Sequence, residues 1–478
     1  MTATAGLRAW QSACIGAALS HYQSERHFFC QATPGAGKTW MSAELARQLH
    51  AEGKIDLVVC FAPTIQVVDS FTRTLEDIFG APFDGQLGSL GGVYTYQSMA
   101  YKDERFWSLF DQYRVLVIFD EIHHCASQDA LSGNVWGQQI ADKIQARAEF
   151  TLALSGTPWR TDDGLVALAR YTAPEGELVR DYTYGLAQAI EDRVCRRPRI
   201  VLLDNEQIER TESRLSEYCT EYFSSIRELL LHSETRYQHF LEQNTAIAKI
   251  LEIANQRLNF IRMETPDAAG LIVASTVAHA NQISNILLGL GEKSTVVSYQ
   301  NAGSQKAINY FRYGNERWIV SVGMISEGTD IPRLQVCCYL SRVRTELYLR
   351  QVLGRILRRT NSIDDTAWLY LYVEPRLEDY CHRIQIDLPS DQSVVSKLII
   401  DDSGSLGMGS QIDQTISTNS ELYLAHTLVD WEDNAETGAY SPPWMFVSLY
   451  LSEQYVQRVL DLFEGNKTSN TGTSSDGK

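Results

Sequence analysis

From residue 27 onward, short runs rich in Val, Ile, Leu and Phe alternate with longer stretches in which apolar residues recur every three or four positions. The runs at 27–33, 56–62, 93–97, 115–120, 151–155 and 200–203 have the length and composition of buried strands. A second series follows at 271–275, 295–299, 318–322, 335–340 and 367–373. Strands alternating with helices predict a mostly parallel sheet wrapped by helices, and two such series predict two α/β domains. Between them, residues 206–262 contain no Gly or Pro. Apolar positions recur there at Leu215, Tyr218, Tyr222, Ile226 and Leu229, then at Phe240, Ile247, Ile250, Ala254, Leu258 and Ile261. This spacing predicts a helical hairpin turning near 232–234. After about residue 376 the alternation stops; a helix is expected over 445–463, and the Ser/Thr/Gly/Asn-rich end, 467–478, is expected to be disordered.

The chain has 478 residues, enough for two to three domains that each bury a core without disulfides or metals. Apolar residues make up 44% and charged residues 21%, and no run of 18 apolar residues occurs. A soluble, cytoplasmic chain with no membrane partner is expected. Residues 13–19 imitate a secretion signal, but only Arg8 precedes them, so the basic n-region is missing. The nine cysteines include no Cys-x-x-Cys pair, which argues against zinc and for reduced core residues such as Cys60.

Net charge is −17, which by itself argues against a polyanion partner. The charge is unevenly spread, however. Residues 401–478 carry twelve acids against Arg458, Lys467 and Lys478, whereas Arg342, Arg344, Arg350, Arg355, Arg358 and Arg359 cluster with only Glu346 among them. Local charge is expected to govern binding.

The strongest local signal is Ala32-Thr33-Pro34-Gly35-Ala36-Gly37-Lys38-Thr39, at the passage from a strand to a helix. Two glycines allow backbone N–H groups to close around phosphates, Lys38 can reach the β- and γ-phosphates, and Thr39 can hold Mg²⁺. The pattern departs from an ordinary P-loop at its first position, where Ala32 replaces Gly. Farther on, the apolar run Val115-Leu116-Val117-Ile118-Phe119 delivers Asp120 and Glu121 at its end. Such a pair can organise Mg²⁺ through Asp120 and polarise an attacking water through Glu121.

The order P-loop, Asp120-Glu121-Ile122-His123, then Ser155-Gly156-Thr157-Pro158 resembles the superfamily 2 helicases and translocases with an Asp-Glu-x-His box, over roughly residues 7–375. The resemblance implies two tandem RecA-like domains that bind ATP and Mg²⁺ between them. It assigns adenine reading to Gln11, with Trp10 flanking the base, and coupling of ATP state to domain movement to Ser155 and Thr157. Ser326-Glu327-Gly328-Thr329-Asp330-Ile331-Pro332 is similar to motif V, bringing Gly328 and Asp330 to the nucleotide. Gln351-Val352-Leu353-Gly354-Arg355-Ile356-Leu357-Arg358 is similar to motif VI, in which Gln351 is catalytic and Arg355 and Arg358 are arginine fingers expected on one helix face. Nucleic-acid contacts are implied for Pro63-Thr64, for Gln97 within Thr95-Tyr96-Gln97, for Ser275-Thr276 and for Arg160.

The expected division is a RecA-like ATP-binding domain at 1–204, a helical insertion at 205–264, a second RecA-like domain at 265–376, an accessory domain at 377–464 and a tail at 465–478. The function implied is an ATP-dependent helicase or translocase, with DNA preferred over RNA as its track. The alternatives are an RNA-dependent ATPase or helicase, or a motor subunit of a larger DNA-processing or defence assembly that docks a protein partner through the acidic C-terminal region.

Overall fold

The computed structural model describes residues 6–125, 135–156, 166–173, 178–214, 217–301, 303–324, 331–359, 366–386, 395–399, 446–452 and 455–461. The first sheet contains β1 (His27–Ala32), β2 (Leu57–Ala62), β3 (Gly91–Thr95), β4 (Val115–Phe119) and β5 (Phe150–Ser155). After a short antiparallel ribbon of β6 (Arg170–Tyr171) and β7 (Leu178–Val179), β8 (Tyr182–Tyr184) completes it in the order β3-β2-β4-β5-β1-β8. Every pairing in this sheet is parallel. Both faces are covered, which is why every residue of β4 and β5 is buried and β4 reads as one continuous apolar run. Alternate residues divide between two apolar clusters: Phe28, Cys30, Leu116 and Ile118 enter one, and Phe29, Val115, Val117 and Phe119 the other.

The second sheet is built from β9 (Arg197–Asn205), β12 (Ala269–Ala274), β13 (Ser294–Ser298), β14 (Trp318–Val322), β15 (Leu334–Leu340), β16 (Thr366–Tyr372), β17 (Val395–Ile399) and β19 (Tyr455–Asp461). Its order is β13-β14-β12-β15-β16-β9-β19-β17, with β19 and β17 antiparallel at one edge. The strand at 200–203, grouped by sequence with the first series, therefore lies in the second sheet, where Ile200 stands opposite Leu369. An apolar run specifies a strand, but not which sheet receives it.

The segment expected to be a helical hairpin is helical only in its later part. β10 (Ile208–Arg214) and β11 (Glu217–Phe223) form an antiparallel pair, with β18 (Phe446–Leu451) added beside β10. Ile208, Arg210 and Glu212 turn inward, while Tyr218 and Tyr222 are 78% and 75% exposed. Residues four apart share a face in a strand as well as in a helix, so that spacing alone could not separate the two. The helix Asn244–Glu264 does bury Ile247, Ile250, Ala254 and Leu258 as its period requires. The helix expected at 445–463 is instead β18 and β19, which gain order by pairing with strands more than 200 residues earlier. Among the described residues no helix is long and apolar enough to cross a membrane. All nine cysteines are free, and Cys219 is exposed while the others are buried.

Candidate functional site

At the end of β1 the chain turns through Gly35 and Gly37, whose φ angles of 84° and 94° lie where a Cβ is strained. Gly37 caps the helix Lys38–Ala51, so Lys38 and Thr39 occupy its first turn, where unpaired N–H groups and the helix dipole favour an anion. Thr33 N donates to Tyr184 O (3.0 Å) and Ala36 N to Thr33 O (3.2 Å), which sets the turn. Gln11 Nε2 donates to Gly37 O (3.0 Å), its Oε1 accepts from Arg8 N (2.8 Å), and Arg8 Nη1 donates to Ala36 O (2.6 Å). Gln11, expected at adenine, thus lies against the phosphate loop, with both ends of its amide bonded within the protein. Trp10, expected beside the base, is instead 2% exposed and stacked on Tyr184 at 4.7 Å. Burying the indole between the helix Ala9–His21 and β8 outweighs leaving it open for a base.

The acidic pair sits directly opposite. Lys38 Nζ donates to Ala32 O (3.1 Å) and to Glu121 Oε1 (3.0 Å), and Gly156 N donates to Glu121 Oε2 (3.0 Å). His123 Nδ1 lies 3.4 Å from the same carboxylate and 2.9 Å from Ser155 Oγ. One network therefore joins the P-loop, the acidic box and the end of β5. Glu121 holds a left-handed backbone (φ 51°, ψ 53°), a strained conformation for a side-chain-bearing residue that is kept where the surroundings enforce it. Burial, and then the charge of Glu121, push the Asp120 carboxyl up to about 7. Burial would also raise Glu121, but Lys38 and then His123 pull it down to about 2. A buried carboxyl, Asp120, and a half-buried one, Glu121, share one ammonium here. Asp120 and the Thr39 hydroxyl, on the first turn of the Lys38–Ala51 helix, are the hard oxygen donors that could hold Mg²⁺.

The other wall comes from the second domain. A Cβ on Gly354 would lie 2.8 Å from Pro34 Cβ, and one on Gly35 would lie 3.1 Å from Arg358 Cγ. Cys195 pairs with Arg358 in an isolated bridge, and its Sγ lies 3.7 Å from Pro34 O. Gln351 and Arg355 are on the helix Glu346–Ile356, four apart and so on one side. Arg358 is not on that helix, contrary to expectation: the helix ends at Ile356, and bonding to residues 195–196 draws the chain out before another turn forms. A second contact between the domains is Gln66 Nε2 to Gln305 Oε1 (3.1 Å), beside a cleft of about 570 Å³ that includes Arg73, Asn309, Arg312 and Tyr313.

The residues expected at nucleic acid follow strand ends. Pro63 and Thr64 follow β2, Gln97 is exposed just after β3, and Ser275 and Thr276 follow β12. Thr64, Thr95 and Thr276 cap helices, their hydroxyls accepting from Val67 N (3.4 Å), Ser98 N (3.3 Å) and His279 N (3.1 Å). Ser275 Oγ donates to Leu340 O (3.0 Å). Thr157, Arg160, Gly328 and Asp330 lie outside the described residues, as does most of the acidic C-terminal region. The arginine cluster is less basic than its sequence, because Arg344 pairs with Glu374 (3.3 Å) and Arg350 with Glu346 (2.8 Å). Sequence reasoning missed Arg8, Cys195 and Arg196 at this interface. Arg8 could have been found from its place three residues before Gln11; Cys195 and Arg196 sit in a basic run with no motif to mark them.

The family described as Type III restriction enzyme, res subunit, matches residues 4–160. An uncharacterized protein of Mycobacterium tuberculosis is 29% identical over 396 residues, covering 80% of this chain and 63% of its own length. The chain thus spans less than two thirds of that relative. The DNA 3′-5′ translocase XPB2 of Sulfurisphaera tokodaii is 26% identical over 368 residues, covering 72% of this chain and 77% of the relative. Among solved structures, the ATP-dependent Type ISP restriction-modification enzyme LlaBIII bound to DNA has a TM-score of 0.51 at 15% identity, covering 77% of this chain and 28% of that one. A fragment named as an HsdR subunit of a type I restriction enzyme from Vibrio vulnificus has a TM-score of 0.54 at 16% identity, covering 78% and 65%.

Proposed function

We propose that this chain, which has the tandem RecA-like fold and is similar to superfamily 2 helicases and translocases, hydrolyses ATP between its two domains and uses the cycle to move along DNA. The observation that carries this reading is the meeting of Pro34 and Gly35 with Gly354 and Arg358, beside the Lys38–Glu121 pair at 3.0 Å. A phosphate loop from one domain meets Gly354 and Arg358 from the other, so a nucleotide bound there would be sensed by both. In this reading Thr33, Pro34, Gly35, Ala36 and Gly37 wrap the phosphates through backbone N–H groups. Lys38 leaves Glu121 for the terminal phosphates, and the freed carboxylate orients and deprotonates the attacking water. Gln351, Arg355 and Arg358 close from the far side, where arginine balances charge developing on the transferred phosphate. Thr39 and Asp120 would hold Mg²⁺, which neutralises phosphate charge when bound. By their similarity to motif V, Gly328 and Asp330 would meet the nucleotide from the second domain.

His123 and Ser155 would carry the state of Glu121 to the end of β5. Domain closure then alternates with opening, and the grip passes between Pro63, Thr64, Gln97 and Arg160 on the first domain and Ser275 and Thr276 on the second. Helix N-termini capped by threonine suit a sugar-phosphate backbone, which needs little net positive charge. The preference for DNA is supported by the name of the Sulfurisphaera relative and by the restriction-enzyme family description.

The test is ATP hydrolysis by wild type and Lys38→Ala, alone and with single-stranded, duplex or forked DNA and with RNA. Stimulation by a DNA form that is lost in Lys38→Ala is expected; stimulation by RNA alone would reassign the track. A second reading, a motor subunit that needs its assembly, is supported by the words "res subunit" in the family description. It predicts no stimulation by any nucleic acid until a partner is added.

A further inference from the structure

Between the helix Leu186–Glu191 and β9 the chain crosses from one domain to the other through residues 192–196. The first half of this crossing is tied to the P-loop domain. Val194 N and Cys195 N both donate to Ala189 O (2.8 and 3.0 Å), and Cys195 Sγ lies against Pro34 O. The same stretch, together with Arg196, is tied to the end of the Glu346–Ile356 helix. Arg196 N donates to Leu357 O (2.8 Å), Cys195 bridges Arg358, and Arg359 Nη1 donates to Arg193 O (3.3 Å).

The Arg196 side chain runs through the middle of this junction. It is 0% exposed, and its Nη1 donates to both Ile356 O (2.8 Å) and Leu334 O (2.7 Å) while its Nη2 donates to Pro332 O (2.9 Å). A buried guanidinium is costly unless its donors are met, so a site that turns three carbonyls onto three of its five N–H groups specifies where those carbonyls must be. Ile356 O belongs to the last residue of the helix that bears Gln351 and Arg355, where the negative end of the helix dipole also favours a positive charge. Pro332 and Leu334 lead into β15. The planar fork reaches all three at once; an ammonium, a point donor on a flexible stem, would not hold them in one geometry.

We propose that Arg196 is the positioning residue of the arginine pair: a linker guanidinium that holds the end of the Gln351–Arg355 helix and the exit of Arg358 at a set distance from Pro34 and Gly35. This rests on the ATPase reading and adds to it a strut through which P-loop movement reaches the arginines. The strut acts on the chemical step and leaves nucleotide binding by the P-loop intact.

The test compares the full chain with Arg196→Met and Arg196→Lys for DNA-stimulated kcat and KM, affinity for a fluorescent ATP analogue, thermal melting, and amide exchange over 346–359. For Arg196→Met, kcat is expected to fall about 10- to 100-fold, the scale of a roughly 1 Å misplacement, with nucleotide affinity held within about 3-fold. Exchange over 346–359 should quicken, and Arg196→Lys should recover part of kcat. A kcat within about 2-fold of wild type, or kcat and nucleotide affinity lost in parallel, would overturn the proposal. Failure of both variants to fold would also overturn it, since Arg196 would then be a fold determinant. If wild type itself hydrolyses no ATP, the functional reading fails separately. The strut is then judged on amide exchange alone, where unchanged protection over 346–359 in Arg196→Met refutes it.

Discussion

Replacing Gly354 by alanine adds one carbon at the point where the two domains touch. The new Cβ would stand 2.8 Å from Pro34 Cβ and 3.0 Å from Pro34 Cγ. Non-bonded carbons settle about 3.5 to 4.0 Å apart, so the Glu346–Ile356 helix must withdraw from the P-loop by roughly 0.7 Å or more. Neither partner yields easily, since Pro34 is a ring and Gly354 lies within a helix. Overpacking of this kind costs about 1–3 kcal/mol. Alanine is the better helix former by about 1 kcal/mol, which offsets much of that cost. The two effects leave a net loss of roughly 0–2 kcal/mol, a shift of a few degrees in melting temperature at most. Catalysis has no such offset, because a misplacement near 1 Å between groups that must meet around one phosphate can cost about 100-fold. Gly354→Ala is therefore expected to melt close to wild type while DNA-stimulated kcat falls by about 10- to 100-fold. Steady-state hydrolysis at saturating DNA, paired with a thermal melt, checks both halves. A variant that melts normally and retains wild-type kcat would refute the idea that hydrolysis requires this contact.

Other outcomes follow from the same geometry. Trp10→Ala empties a buried site stacked on Tyr184 and should cost about 3–5 kcal/mol in urea unfolding; a loss under about 1 kcal/mol would return Trp10 to the base-flanking role that the resemblance implies. Ser155→Ala removes the 2.9 Å partner of buried His123 and should cost about 1–3 kcal/mol in the same assay, with nucleic-acid stimulation of hydrolysis falling more than basal hydrolysis. Equal loss of both rates would argue against a coupling role. Burial lowers the pKa of His279 below its ordinary 6.5, while nearby Glu242 works in the opposite sense. Because the folded state disfavours the protonated ring, the stability this residue contributes is complete above about pH 6.5 and is lost as pH falls from there through the lower folded value. Melts between pH 7.5 and 5 should therefore fall more steeply for wild type than for His279→Gln, and parallel curves would contradict the assignment.

Chemistry carried by short contiguous segments was legible in the chain. The turn through Gly35 and Gly37, the helix starting at Lys38 and the delivery of Asp120 and Glu121 by an apolar strand all depend on neighbours in sequence, where backbone conformation and hydrophobic period act directly. The two-sheet α/β plan was legible for the same reason. What failed was whatever depended on long-range pairing. Tyr218 and Tyr222 satisfy a helix and a strand equally, and only the partners of β10 and β11 decide between them. The run at 200–203 is a strand in any setting, but its place beside β16 follows from register with residues far along the chain. Trp10 looked available because nothing local announced Tyr184, and Arg358 looked helical until Cys195 and Arg196 were found drawing it off the helix end. The amino-acid sequence determined which groups can bind phosphate, hold a cation and offer guanidinium. The tertiary structure alone decided that Lys38 bonds Glu121, that Gly354 rests on Pro34 and that a buried arginine between the domains holds the second wall in place. Local propensities act over a few residues, whereas these contacts arise only when packing brings distant carbonyls, rings and charges within a few ångströms.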